Sequence, residues 1–193
     1  MNTVEPIRDQ RKVDAIRAML KGQDNPRDYL LFTLGVNTAL RVGDLLKLNV
    51  GDVVDSQGKI VDSLNLREQK TNKEITVELN PLTKQAIEYY LSKSPPEATQ
   101  HDMPLFKSKR SNKRLDRRVV WELISTWCKD VGLKGKYGSH SLRKTWGYHA
   151  RTKACVPLEM IQATLGHSTP AVTRRYIGIS ADEIKAVRLK VQI

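Results

Sequence analysis

The stretch from Asn25 to Val36 constrains the fold more than any other part of the chain. Asn25 followed by Pro26 marks a helix start, since proline at the first helical position loses no hydrogen bond and arrives with a helical φ. Tyr29, Leu30, Phe32, Leu34 and Val36 then make the helix apolar on nearly every side. Such a helix is stable only when other elements surround it. The chain must therefore build layers around a central helix, and its 193 residues suffice to bury that core without disulfide or metal staples.

What surrounds the central helix reads as mostly helical. Val13, Ile16, Met19 and Leu20 recur at helical spacing and stop at Gly22, a glycine end signal. Asn37-Thr38 breaks the central helix, and a short one resumes over Leu40 to Leu46, which leaves Arg41 at an interrupted helix beside a buried wall. Between Ile60 and Leu79 the pattern changes to β-prone runs, Ile60-Val61, Leu64 to Leu66 and Ile75 to Val77, around the polar turn Gln69-Lys70-Thr71-Asn72-Lys73. This predicts a small antiparallel sheet with a lysine at a mobile hairpin tip. Asn80-Pro81 opens a helix to about Ser92, which Ser94-Pro95-Pro96 ends. Leu105-Phe106 is strand-like, and a helix carrying Val119, Val120, Leu123, Ile124 and Trp127 follows. Beyond the glycine-lysine loop from Gly132 to Gly138, helices start at Ser139, at Pro157 and at Ser168-Thr169-Pro170, the last ending near Tyr176. The capping box Ser180-Ala181-Asp182-Glu183 opens a final helix with Ile184, Val187 and Val191 on one stripe. The fold class expected is mainly α with a small antiparallel β-sheet (α+β), in one domain over residues 1–193.

Charge narrows the partners. The chain carries 33 Lys and Arg against 21 Asp and Glu, a net charge of +12. Residues 1–96 hold 14 basic and 13 acidic side chains, whereas residues 97–193 hold 19 and 8. A positive field concentrated in one half suits a polyanion, because each cation that neutralises a phosphate releases condensed counterions. Within that half, residues 107–118 include Lys107, Lys109, Arg110, Lys113 and Arg114, a run suited to the DNA backbone. Lys144 and the hairpin residue Lys73 are further candidates for DNA contact. A merely solvated loop is the plain alternative for the run. No stretch approaches the roughly 20 apolar residues of a membrane span, and the first ten residues lack the apolar core of a signal peptide. The two cysteines, Cys128 and Cys155, cannot make a disulfide framework, so a cytoplasmic location with no membrane partner is expected.

The residues able to do chemistry cluster late in the chain. His140 and Arg143 lie three apart on a helix and share a face; Leu165-Gly166-His167 and Arg174-Arg175-Tyr176 follow. Each alone has a bland reading, a surface pair or a core tyrosine. The four histidines, His101, His140, His149 and His167, lack metal-ligand spacing, and no acidic cluster or glycine-rich phosphate cradle accompanies them. No metal, cofactor or ATP is expected.

Taken as an ordered set, the motifs resemble the tyrosine site-specific recombinases, the family of phage integrases and chromosome-dimer resolvases. They are Thr38-Ala39-Leu40-Arg41-Val42-Gly43-Asp44, Gln69-Lys70-Thr71, His140-Ser141-Leu142-Arg143-Lys144-Thr145, Leu165-Gly166-His167-Ser168-Thr169-Pro170 and Tyr176, over about residues 10–193. The resemblance implies the catalytic-domain fold of that family, with Tyr176 as nucleophile and Arg41 and Arg143 as phosphate clamps. It implies Lys70 and His140 in proton transfer, His167 as a further phosphate contact, and Asp44 in support. It also implies double-stranded DNA as partner and self-association on DNA as a tetrameric synapse, with a monomer possible in solution. Typical members carry a helical core-binding domain before the catalytic one, and here none is expected, because only about eight residues precede the first helix.

Elementary chemistry agrees with those roles. A protein nucleophile conserves the energy of a broken DNA strand as a phosphate ester that a hydroxyl can later reverse. Two arginine forks can hold the non-bridging oxygens and offset charge in the transition state. A lysine on a hairpin can protonate the leaving 5′-oxygen once the hairpin docks; Lys73 rivals Lys70 for that task. His140 either accepts the phenol proton or hydrogen-bonds the phosphate. A DNA-binding accessory protein that kept the fold without recombining is the alternative function. Alanine at Arg41 or Arg143 is expected to abolish cleavage with the fold intact.

Overall fold

A computed structural model describes residues 4–108, 111, 113–179, 185 and 189. The stripe Ile184, Val187 and Val191 of the predicted final helix, and the candidate DNA contacts Lys109 and Arg110, lie outside these. The first helix, α1 (Gln10–Gly22), is capped by Asp9, whose carboxylate accepts from the Arg11 amide at 2.9 Å. Val13, Ile16 and Leu20 form its buried stripe. Gly22 is the last helical residue rather than the stop, and the left-handed backbone falls two residues later on Asp24 (φ 48°).

The apolar helix α2 (Pro26–Asn37) is at the centre, as its sequence requires. Leu30, Leu31, Phe32 and Leu34 are fully buried, and α1, α4 (Pro81–Lys93) and α6 (Ser139–Thr152) pack around them. Each such side chain contributes about 1.5–3 kcal/mol of burial. Asn25 precedes the helix without capping it; its amide donates to Asp28 at 2.9 Å instead. After Thr38 the chain turns through Ala39 in the left-handed region (φ 57°), and Arg41 becomes the extended residue before the single-turn α3 (Val42–Leu45).

Strands β1 (Ser63–Arg67) and β2 (Glu74–Glu78) pair antiparallel with Leu66 opposite Ile75 and Leu64 opposite Val77. The Ile60-Val61 run is not part of the sheet: Ile60 makes a lone bridge to Val54. Leu105-Phe106 is likewise not a strand. Both residues are fully buried, between bridges that pair Asn49 with Pro104 and Lys107 with Arg114. Asn80 caps α4 by accepting from the Thr83 amide at 2.9 Å.

Helix α5 (Arg117–Asp130) begins inside the basic run, with Asp116 as its cap. Two arginines therefore occupy the positive end of a helix, where the macrodipole disfavours them. Two further helices, α7 (Leu158–Thr164) and α8 (Pro170–Tyr176), join α6 through a small second core of Ala39, Ala150, Ile161, Leu165 and Ile177. Gly147 on α6 permits this closeness, since a Cβ there would stand 2.7 Å from Ile177.

Candidate active site

Four separate pieces of chain meet at one cleft. The loop before α3 supplies Arg41, the β1–β2 turn Lys70 and Thr71, the start of α6 His140 and Arg143, and the α7–α8 connection with α8 supplies Gly166, His167, Ser168 and Tyr176. The cleft has a volume of about 340 Å³. All six residues expected to carry catalysis line it. Asp44 stands behind, with one carboxylate oxygen accepting from the Gln69 amide at 2.9 Å.

Arg143 is buried at 3% exposure, and its guanidinium donates to the carbonyls of Ala39 and Leu165. It thus ties the Arg41 loop to the α7–α8 connection while facing the cleft. The expectation that alanine here leaves the fold intact needs correcting, because two buried carbonyls would lose their donor. Arg41 pairs with Glu68, a residue sequence reasoning passed over. Glu68 also accepts from the Thr71 hydroxyl at 2.6 Å. Burial works to raise the Glu68 carboxyl, but Thr71, Arg41 and Arg143 together hold it below its ordinary value.

Tyr176 ends α8 with its hydroxyl buried and without a hydrogen-bond partner among the described residues. Burial raises its phenol above the usual value, and the nearby Arg143 and Arg41 oppose that rise. The rings of His167 and Tyr176 meet edge to face with centroids 4.7 Å apart. His167 Nδ1 lies 3.1 Å from the Thr173 hydroxyl, which fixes the ring. Desolvation, then Arg143, Arg41 and Lys70, hold His167 down to about 4. His140 sits at the exposed rim; desolvation, then Arg143, Lys144, Arg41 and Lys70, lower it too. Both shifts favour the neutral imidazole, the form able to accept a proton.

These shifts make stability depend on pH. For His167 the ordinary value is 6.5 and the folded value about 4, so the unfolded chain takes up the proton first as pH falls. Stability present above pH 6.5 is then lost progressively towards pH 4. His140 and His149 are lowered by burial in the same sense. Melting is expected at a lower temperature at pH 5 than at pH 7, with a smaller difference in His167→Gln. An undiminished difference would place the effect on other groups.

The remaining candidates divide. Lys70 lines the cleft with Tyr176, whereas Lys73 lines a neighbouring groove with Glu78 and Trp146. Lys113 is exposed and Lys107 half-buried. Arg114 is exposed and also a staple: it donates to the carbonyls of Leu46 and Leu48 at 2.9 and 3.0 Å and to the Asn49 side chain at 2.8 Å. Lys144 is not on the surface. It is 6% exposed, donates to the Val4 carbonyl at 2.9 Å, and lies 5.2 Å from the Tyr176 ring centroid. Arg117, unnoticed as a single residue in the sequence, lines the adjoining groove with Arg41, Lys70 and His140. Among the described residues no cluster of three or more His, Cys, Asp or Glu is placed to hold a metal ion, and no helix is long and apolar enough to cross a membrane.

The pattern of the Phage integrase family matches residues 8–183. The chain is 39% identical over 188 residues to the Bacillus subtilis (strain 168) protein named "Probable integrase/recombinase YoeC", covering 96% of both. It is 31% identical over 173 residues to tyrosine recombinase XerC of Caldanaerobacter subterraneus subsp. tengcongensis, covering 88% of this chain and 47% of the relative. The chain therefore spans nearly all of the first relative and about half of the second. Among solved structures it superposes on XerA recombinase with a TM-score of 0.75 at 22% identity, over 99% of this chain and 68% of the other. It superposes on XerH recombinase bound to a palindromic difH substrate, a post-cleavage complex, with a TM-score of 0.74 at 17% identity, over 98% and 54%. At those identities the structural likeness establishes the fold.

Proposed function

The chain belongs to the phage integrase family, and from that premise we propose that it cleaves and rejoins double-stranded DNA through a covalent 3′-phosphotyrosyl intermediate. The observation that carries this reading is the convergence of Arg41, Lys70, His140, Arg143, His167 and Tyr176 on one small cleft. Arg41, Lys70 and Arg143 bring three cations to the cleft against the two buried carboxylates beside it, Glu68 and Asp44, a positive balance that suits a phosphodiester anion.

In the forward step the Tyr176 oxygen attacks phosphorus, the bond from phosphorus to the 5′-oxygen breaks, and a tyrosyl 3′-phosphate forms. The phenol proton passes to neutral His140. The leaving 5′-oxygen takes a proton from Lys70. Arg41 and Arg143 hold the two non-bridging oxygens and offset the charge that grows in the transition state. His167 adds a hydrogen bond to the phosphate. Rejoining reverses each transfer: a 5′-hydroxyl attacks the phosphotyrosine, Lys70 takes its proton, and Tyr176 leaves.

The test uses a pool of nicked duplexes of randomised sequence, in which cleavage beside the nick releases a short fragment and traps the protein on DNA. An adduct that survives denaturation is expected, and binding without any adduct would favour an accessory DNA-binding role. Lys70→Ala should slow trapping on the order of 10²–10⁴-fold, the usual contribution of a positioned acid. A 5′-bridging thiolate, which leaves without protonation, should restore the rate. Failure to restore it would remove Lys70 from the acid role and return Lys73 to candidacy.

A further inference from the structure

We infer that Glu68 is a positioning residue that locks the lysine hairpin to the phosphate-clamping arginine, so that Lys70 is held in the cleft only while Arg41 is held with it. The inference rests on the phosphoryl-transfer reading above and extends it to residues that reading does not use.

A two-stranded hairpin is marginal by itself in water, and Lys70 at its turn is exposed on a flexible four-carbon stem. An acid delivered by such a loop needs a tether. Glu68 is placed to be one. It is buried at 8% exposure where β1 gives way to the turn. One carboxylate oxygen accepts from Arg41, and the other accepts at 2.6 Å from the hydroxyl of Thr71, the residue after Lys70. Its backbone closes the same turn: the Glu68 amide donates to the Lys73 carbonyl, and the Glu68 carbonyl accepts from the Asn72 amide, both at 2.9 Å. A second tie runs in parallel, from the Gln69 amide to Asp44 on the helix that follows Arg41.

Both Glu68 oxygens are thus occupied by groups on the two elements that must act together. Arg41 has five N–H donors and uses one here, so a phosphate can bind the fork while the tether persists. With a guanidinium and a hydroxyl on its oxygens, Glu68 acts on the reaction through Arg41 and Lys70 rather than on the DNA.

Two measurements test this. The first is amide hydrogen exchange across residues 68–73 in the unliganded protein, comparing wild type with Glu68→Gln and Thr71→Val. Loss of a charge-assisted hydrogen bond should speed exchange in the turn by roughly tenfold, with exchange in α2 unchanged in Thr71→Val. Unchanged exchange in the turn of both variants would overturn the tether. The second is DNA trapping with oxygen and thiolate leaving groups. Thr71→Val, which loosens only the lysine side, should trap about tenfold more slowly on the oxygen substrate and recover with the thiolate. Glu68→Gln, which loosens the arginine as well, should be slower still and recover only in part. Equal slowing of Thr71→Val on both substrates, or full recovery of Glu68→Gln, would overturn the coupling. If wild-type protein traps no DNA at all, it is the phosphoryl-transfer reading that fails, and exchange alone decides the tether.

Discussion

Arg143→Lys is expected to lower DNA trapping on the order of 10³–10⁵-fold, the range an arginine supplies when it stabilises a transferring phosphoryl group. Lysine keeps the charge but not the fork, and one ammonium cannot meet a phosphate and two carbonyls with the same geometry. Arg143→Ala should lose at least as much activity and, unlike lysine, also fold stability. The Ala39 and Leu165 carbonyls that Arg143 serves are far apart in sequence, and each buried acceptor left unserved costs about 1–3 kcal/mol. For a chain of this size each kcal/mol lowers Tm by roughly 2–4 °C. Thermal melts of the two variants beside their trapping rates separate the two jobs. Wild-type trapping by the lysine variant would show that Arg143 holds the fold and nothing else.

Much of this site is legible before any coordinates, because its side chains are identified by their near neighbours in sequence. His140 and Arg143 share a helix face by spacing alone, and Thr169-Pro170 announces the helix that carries Tyr176. The fold is legible for a similar reason: an apolar helix such as α2 has one place to go, and Asp9, Asn80, Asp116 and Thr169 cap the helices they precede. What eludes sequence reasoning depends on contacts far along the chain. Lys144 reads as one more cation in a basic half, yet the Val4 carbonyl and the Tyr176 ring enclose it. Arg114 reads in the sequence only as one cation of a basic run, yet three acceptors between Leu46 and Asn49 also receive its exposed guanidinium. Glu68 looks like an exposed hairpin acid until Arg41, 27 residues earlier, is folded against it. Leu105-Phe106 shows the ambiguity of a short apolar pair, which is buried equally well with or without a partner strand.

Lys144 also bears on the proposed nucleophile, Tyr176. A buried cation lies against one face of Tyr176 while Arg143 and Arg41 oppose the rise in phenol pKa that burial causes. The phenol therefore waits protonated among cations that favour its phenolate once an acceptor is ready. In the proposed reaction His140, which lines the same cleft, is that acceptor.

The central claim is that the Tyr176 oxygen becomes the bond to DNA, and Tyr176→Phe tests it most directly. The substitution removes one oxygen that has no hydrogen-bond partner among the described residues, so the ring, its contact with His167 and the fold should remain. Wild-type protein incubated with the nicked duplex pool should yield a denaturation-resistant adduct whose peptide map places the DNA on Tyr176. Tyr176→Phe should bind the pool as wild type does and yield no adduct. An adduct undiminished in Tyr176→Phe, or mapped to another residue, would contradict the account.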